Sequence, residues 1–244
     1  MLLENRKAIV TGASSGIGKA TAERLGREGA SVCVNYYSPE ERSAAESVVA
    51  AIEKSGARAL AIQADVSNED DVEQMTAQVV KEFRGLDLLV NNAGIEKQVP
   101  LLKMTLADWN AVLTTNLTGA FLCLREAAKV MARRSGGVIV NISSVHEFIP
   151  WPGFAHYCAS KGGMKLLMET AARELAPKIR LLNIAPGAIV TPINQFVLDD
   201  PEAEHAVEEE IPLGRMGKPE EIAAAVTGTT IVVDGGMSLY SKFV

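Results

Sequence analysis

The chain has no apolar run approaching the roughly 18 residues needed to cross a bilayer. Its start, Met1-Leu2-Leu3-Glu4-Asn5-Arg6-Lys7, offers no signal-like apolar stretch before the first strand. A cytoplasmic, membrane-free protein is therefore expected. No block of basic residues occurs, and 24 Lys+Arg against 30 Asp+Glu give a formal charge of -6. Nucleic acid is not an expected partner of such a surface. Cysteine is scarce: Cys33, Cys123 and Cys158 form an odd, scattered set, which points to reduced thiols rather than a disulfide framework. Repeats, linkers and low-complexity stretches are also missing, so neither an array nor a second domain is expected.

The 244 residues, 48% hydrophobic and 22% charged, suffice for one globular domain with a sizeable core. Strand candidates are Lys7–Thr11, Ser31–Asn35, Ala59–Gln63, Leu86–Asn91, Val138–Ser143, Arg180–Ala185 and Thr230–Val233. Helical patterns lie between them. Ser38-Pro39-Glu40-Glu41 reads as a capping box with proline at the first helical position, and Gly56 follows that helix. Ser67 with Asp70 opens the next helix, which Gly85 closes, and Thr105 with Asp108 opens a long one running to about Arg133. Apolar strands alternating with helices imply a parallel sheet covered on both faces. The expected fold is α/β: a single doubly wound Rossmann-like domain over residues 1–244, with a mostly seven-stranded parallel sheet.

The first strand candidate runs into Thr11-Gly12-Ala13-Ser14-Ser15-Gly16-Ile17-Gly18, and a helical segment follows. Strand, glycine turn and helix N-terminus together make an anion site suited to a dinucleotide pyrophosphate. The second strand ends at Asn35-Tyr36-Tyr37-Ser38, where an acid would usually meet the ribose 2′-hydroxyl of NAD. Neither a carboxylate nor an arginine stands there. The reading leans slightly to NADP, with use of both cofactors expected.

Tyr157 and Lys161 lie four residues apart, one helical turn, and Ser144 lies thirteen residues before the tyrosine. An ammonium near a phenol favours phenolate and lowers its pKa from about 10. Such a phenol can exchange a proton with an alcohol or carbonyl. Between Ser144 and Tyr157 stand His146, Glu147, Trp151 and His156, polar and aromatic residues that suit a polyol.

Thr11–Gly18, Asp65-Val66, Asn91-Asn92-Ala93-Gly94, Asn116, Ser144, Tyr157 with Lys161, and Pro186-Gly187 together resemble the short-chain dehydrogenase/reductase family. The resemblance implies Tyr157 as general acid/base, Lys161 as its tuner and ribose holder, Ser144 on the substrate oxygen, and Asn116 in a water-borne proton relay from Lys161. It further implies cofactor contacts at Gly12, Ser14, Ser15, Gly16, Ile17, Gly18, Tyr36, Tyr37, Ser38, Asp65, Val66, Asn92, Ala93, Gly94, Pro186, Gly187, Ile189 and Thr191. Ser143–Glu147, Ile149–Pro152, Ser160–Lys165 and Thr191–Asn194 are similar to the bacterial glucose 1-dehydrogenases within that family. This likeness implies oxidation of glucose at C1 to the lactone, a homotetramer, no metal, and a sugar bordered by Glu96, Ser144, Val145, His146 and Tyr157. Tyr37 departs from that group, which often carries arginine there. A 3-oxoacyl-thioester or general ketone reductase and a catalytically silent dinucleotide-binding regulator stand as alternatives.

Residues 190–215 are expected to form a substrate lid, and Met237–Val244 to bury against another subunit. Subunits are expected to pair through the helices of Thr105–Arg133 and Phe154–Leu175. Two connections are shorter than the resemblance implies, at Lys178–Ile179 and Val226–Thr227. Chain breaks, with Cα separations beyond the roughly 3.8 Å of a trans peptide, are expected at both.

Overall fold

The strands form where apolar, often β-branched residues allow burial on both faces. In the computed structural model, which describes residues 1–224 and 231–233, they are β1 (Lys7–Val10), β2 (Ser31–Tyr36), β3 (Ala59–Gln63), β4 (Leu88–Asn91), β5 (Gly137–Ile142), β6 (Ile179–Pro186) and β7 (Ile231–Val233). All neighbours pair in parallel, in the order β3-β2-β1-β4-β5-β6-β7. The order reverses between β1 and β4. There the connections leave the sheet in opposite directions and open a crevice at the strands' carboxyl ends.

The helices are α1 (Gly16–Arg27), α2 (Arg42–Lys54), α3 (Glu69–Phe83), α4 (Leu106–Leu113), α5 (Gly119–Ala132), α6 (Ala155–Leu175), α7 (Gln195–Leu198), α8 (Pro201–Glu210) and α9 (Pro219–Ala223). Side chains alternate across the sheet. Ile9, Cys33, Leu89, Ile139 and Leu181 pack with α3, α5 and α6 on one face. Val10, Val32, Val34, Val90, Val140 and Leu182 pack with α1, α2 and α9 on the other. The single doubly wound domain expected from alternating strands and helices is what forms.

Local details depart from expectation. Asn68, not Ser67, caps α3: its side chain accepts from Asp71 N, while Ser67 turns back to Asp65. The Ser38–Glu41 box does not form; Pro39–Glu41 is a 3-10 turn without a side-chain cap. Thr105 and Asp108 do form a capping box. The helix they open is interrupted at Thr114–Thr118 by a π-helical turn. Such a turn inserts an extra residue into the helical ladder and re-aims its neighbours. Asn116 lies within it, wholly buried at 0% exposure.

Past α6 the chain continues through Lys178 into β6, with Ile179 in register with Gly137 and Lys178 O accepting from Gly137 N. The break expected there is absent; Val226–Thr227 and Met237–Val244 lie outside the described residues. The excursion holding α7 and α8 is clamped at its base, where Val190 N donates to Gly217 O and Gly217 N to Ala188 O, each at 2.9 Å.

Candidate active site

A cavity of about 1410 Å³ fills the crevice. Its floor is the turn after β1. Gly16 has a φ of +54°, a left-handed conformation that costs glycine little. At Gly18 a Cβ would sit 2.3 Å from Gly12 O, so only glycine lets α1 approach the turn this closely. Two asparagines pin the turn. Asn35 Oδ1 accepts from Gly12 N at 3.1 Å, and Asn92 Nδ2 donates to Thr11 O and Gly12 O at 2.9 and 3.0 Å. The first turn of α1 holds no acid, and Ser15 makes no capping bond. Its leading N–H groups are therefore not capped by a side chain at a positive helix end. This cradle fits the diphosphate of a dinucleotide.

One end of the cavity is acidic. Glu40, Glu41 and Asp65 line it beside Ser14, Ser15 and Tyr37. Ser14 Oγ donates to Glu41 Oε2 at 2.7 Å. Asp65 accepts from Ser67 N and Oγ at 2.8 and 2.7 Å, an Asx-type turn that fixes the loop after β3.

The other end holds Ser144, Tyr157 and Lys161. α6 presents Tyr157 and Lys161 one turn apart, 8% and 5% exposed. Lys161 Nζ donates to Ile142 O at 3.0 Å and sits 5.4 Å from the Tyr157 ring centroid. Ser144, at the end of β5, accepts from His146 N at 3.2 Å. Its side chain also lies within hydrogen-bonding reach of the Tyr157 hydroxyl. Trp151 stacks on His146 and on Phe154, with centroids 4.4 and 3.7 Å apart, and meets Tyr157 edge-on. Little of its ring face is left for a ligand.

Burial sets the electrostatics here. The Tyr157 phenol is pushed well up, first by desolvation and next by the Glu96 charge; Ser144 pulls it back down. Lys161 is lowered to about 8 by desolvation, against the pull of Glu96 and Glu147. Glu96 is raised to about 7 by desolvation, which Lys161 opposes. In the free protein, loss of water around the phenol dominates, and the lowering expected from Lys161 is not among the causes of the shift. Glu96 Oε1 and Glu147 Oε1 are buried without a hydrogen-bond partner.

A model of the short chain dehydrogenase family matches residues 6–202. The chain belongs to that family. Among curated relatives, it is 46% identical to 3beta-hydroxysteroid dehydrogenase 1 of Eggerthella lenta, with 99% of this chain and 97% of the relative covered. It is 42% identical to a 3-oxoacyl-[acyl-carrier-protein] reductase of Synechocystis (96% and 97% covered) and 41% identical to glucose 1-dehydrogenase 2 of Bacillus subtilis (98% and 96% covered). Among solved structures, a short chain dehydrogenase from Burkholderia cenocepacia in complex with NADP superposes with a TM-score of 0.89 at 34% identity, covering 97% of this chain and 99% of that one. This short chain dehydrogenase is accordingly an oxidoreductase of a family that binds NAD(P).

Most residues singled out in the sequence meet in the cavity: Gly12, Ser14, Ser15, Gly16, Ile17, Tyr37, Asp65, Val66, Asn92, Ala93, Gly94, Glu96, Ser144, Val145, His146, Tyr157, Lys161, Pro186, Gly187, Ile189 and Thr191. Glu147 and His156 of the segment between Ser144 and Tyr157 do not line it, nor do four of the residues implied as catalytic or cofactor-binding. Tyr36 is buried in the core on the α1–α2 face of the sheet, because alternation turns it away from its neighbour Tyr37. Ser38 sits in the turn beyond, and Gly18 is covered by Gly12. Asn116 pairs with the Ile95 backbone at 2.8 and 2.9 Å and donates to Ser160 Oγ at 3.2 Å.

Three features went unread in the sequence. Glu41 folds back onto Ser14. The π-helical turn buries Asn116. A side-chain ladder, Asn91 to Asn141 to Asn183 to Glu147, crosses β4, β5 and β6 at 3.0, 2.9 and 3.2 Å. Asparagines at equivalent strand positions were its only available signal.

Proposed function

We propose that the enzyme oxidises a sugar at C1 to the lactone, with a nicotinamide cofactor in the crevice and Tyr157 as general acid/base. One observation carries the sugar reading: Glu96 lines the cavity with a buried carboxylate oxygen that lacks a partner. A buried acceptor without a donor is costly. A ring hydroxyl beside the reacting carbon supplies that donor, and His146 offers a further polar contact.

A bound NAD(P) supplies the hydride acceptor and, when oxidised, a positive charge. The chain's own residues handle the proton. Tyr157, as phenolate once the oxidised cofactor's positive charge would be bound beside it, would take it at Oη from the C1 hydroxyl. Ser144 donates to the same oxygen and holds it as charge develops. Lys161, already anchored on Ile142 O, adds positive charge behind the phenol. Positioned acid/base groups of this kind contribute roughly 10²–10⁴-fold.

A second reading has its own support. Ile189, Ile193, Phe196, Val197, Val207 and Met216 give the cavity one apolar wall, which suits an acyl chain or a steroid, the substrates named for two of the relatives. Residues 190–215 would act as the lid that carries that wall. We further place the enzyme in the cytoplasm as a homotetramer. Leu106 on α4 and Leu166 on α6, 73% and 63% exposed, favour burial of these helices between subunits. Steady-state rates with glucose, an acetoacetyl thioester and a 3-hydroxysteroid, each with both cofactors, test the reading. Turnover of glucose at least comparable to the others upholds the sugar; activity on the thioester or steroid alone replaces it with the second reading.

A further inference from the structure

We propose that Glu41 selects NAD over NADP. The inference rests on the dinucleotide reading above and deepens it. The strand end after β2 carries no acid, and Tyr36 and Tyr37 stand there instead. Glu41 comes from the 3-10 turn five residues beyond Tyr36 and reaches back over the mouth of the glycine turn. Its Oε2 accepts from Ser14 Oγ at 2.7 Å and from Tyr37 N at 3.5 Å. Ser14 is itself buried in the glycine turn, so Glu41 is fixed beside the cradle rather than free in solvent. A cofactor whose diphosphate rests on α1 brings its adenosine ribose to this corner.

The two cofactors differ there by one group. A 2′-hydroxyl is a donor, and a carboxylate with free lone pairs accepts from it. A 2′-phosphate brings close to two negative charges at neutral pH against Glu41, with Glu40 and Asp65 on the same wall. No compensating cation is at hand. Among the described residues that line the cavity, the sole lysine or arginine is Lys161, at the reacting end. Arg42 follows Glu41 but is exposed and does not line the cavity. The slight lean to NADP drawn from the bare strand end is therefore reversed: the acid is present, supplied by the next turn of chain.

The test is equilibrium binding of NAD and NADP to the full chain, by calorimetry or by quenching of intrinsic fluorescence, with no substrate present. Wild type is expected to bind NAD roughly tenfold more tightly than NADP, a difference of about 1.4 kcal/mol. Glu41→Gln is expected to strengthen NADP binding by about that factor while changing NAD binding little. Arg42→Ala is expected to leave both constants unchanged. Equal affinities in wild type, an unchanged ratio in Glu41→Gln, or loss of NADP affinity in Arg42→Ala would each overturn the assignment to Glu41. Failure of both dinucleotides to bind would instead remove the cofactor reading on which it stands. Thermal melts of both variants matching wild type separate a binding effect from misfolding.

Discussion

The two ends of the cavity handle charge in opposite ways. At the cradle end, Glu40 and Glu41 are exposed or half-buried, and Glu41 and Asp65 already accept from protein donors. At the reacting end, Glu96, Tyr157 and Lys161 are deep in the protein, and all three are shifted toward their neutral forms by loss of water. A carboxylate that keeps water and a donor holds its charge at little cost. One stripped of both is a strained group waiting for a ligand. The first end is built to recognise a part of the cofactor that does not react. The second keeps stored electrostatic tension where a proton has to move.

The largest break in this comparison comes at Tyr157. Tyr157→Phe removes the hydroxyl and leaves the ring that packs against Val112 and Phe154. Turnover is expected to fall by about 10²–10⁴-fold, with the dissociation constants for NAD and NADP barely moved. Near-wild-type kcat, read at saturating cofactor, would refute the assignment of acid/base work to this phenol.

Glu96 is the next largest. Its folded pKa of about 7 lies above the ordinary 4.5. The folded protein therefore takes up that proton before the unfolded chain does, and stability contributed by neutral Glu96 is lost as pH rises from about 4.5 through 7. Glu96→Gln removes the charge and its pH dependence. The variant is expected to match wild type at pH 4 and to exceed it by about 3 kcal/mol at pH 8, in urea unfolding. The Glu96 value already includes the opposing pull of Lys161. The same gain at both pH values would show that amide packing, not buried charge, explains the change. If the proposed function holds, the more stable variant also binds its sugar less well, read as a raised KM.

Much of this site was legible because its signals are local. Glycines at 12, 16 and 18, an apolar strand before them and a helix after them specify the cradle without help from the rest of the chain. Tyr157 and Lys161 share a helix face by spacing alone. What stayed hidden depends on partners far apart in sequence. Nothing near Ser38 signals that Glu41 leaves its capping role for Ser14, 27 residues away. The burial that raises Tyr157 comes from several elements closing over it, which no window of sequence contains. The π-helical turn at Thr114–Thr118 likewise follows from tertiary demand, since Asn116 must reach the Ile95 backbone.

The smallest expected effect tests the cradle end. Ser14→Ala deletes the donor to Glu41 but leaves that carboxylate half-buried, within reach of water. A hydrogen bond that water can replace contributes about 1 kcal/mol or less. The unfolding midpoint is therefore expected to drop only slightly. A loss of several kcal/mol would mean that Glu41 is as badly solvated as Glu96. The contrast between the two ends would then fail, and the acids at both would have to be read as strained groups awaiting a ligand.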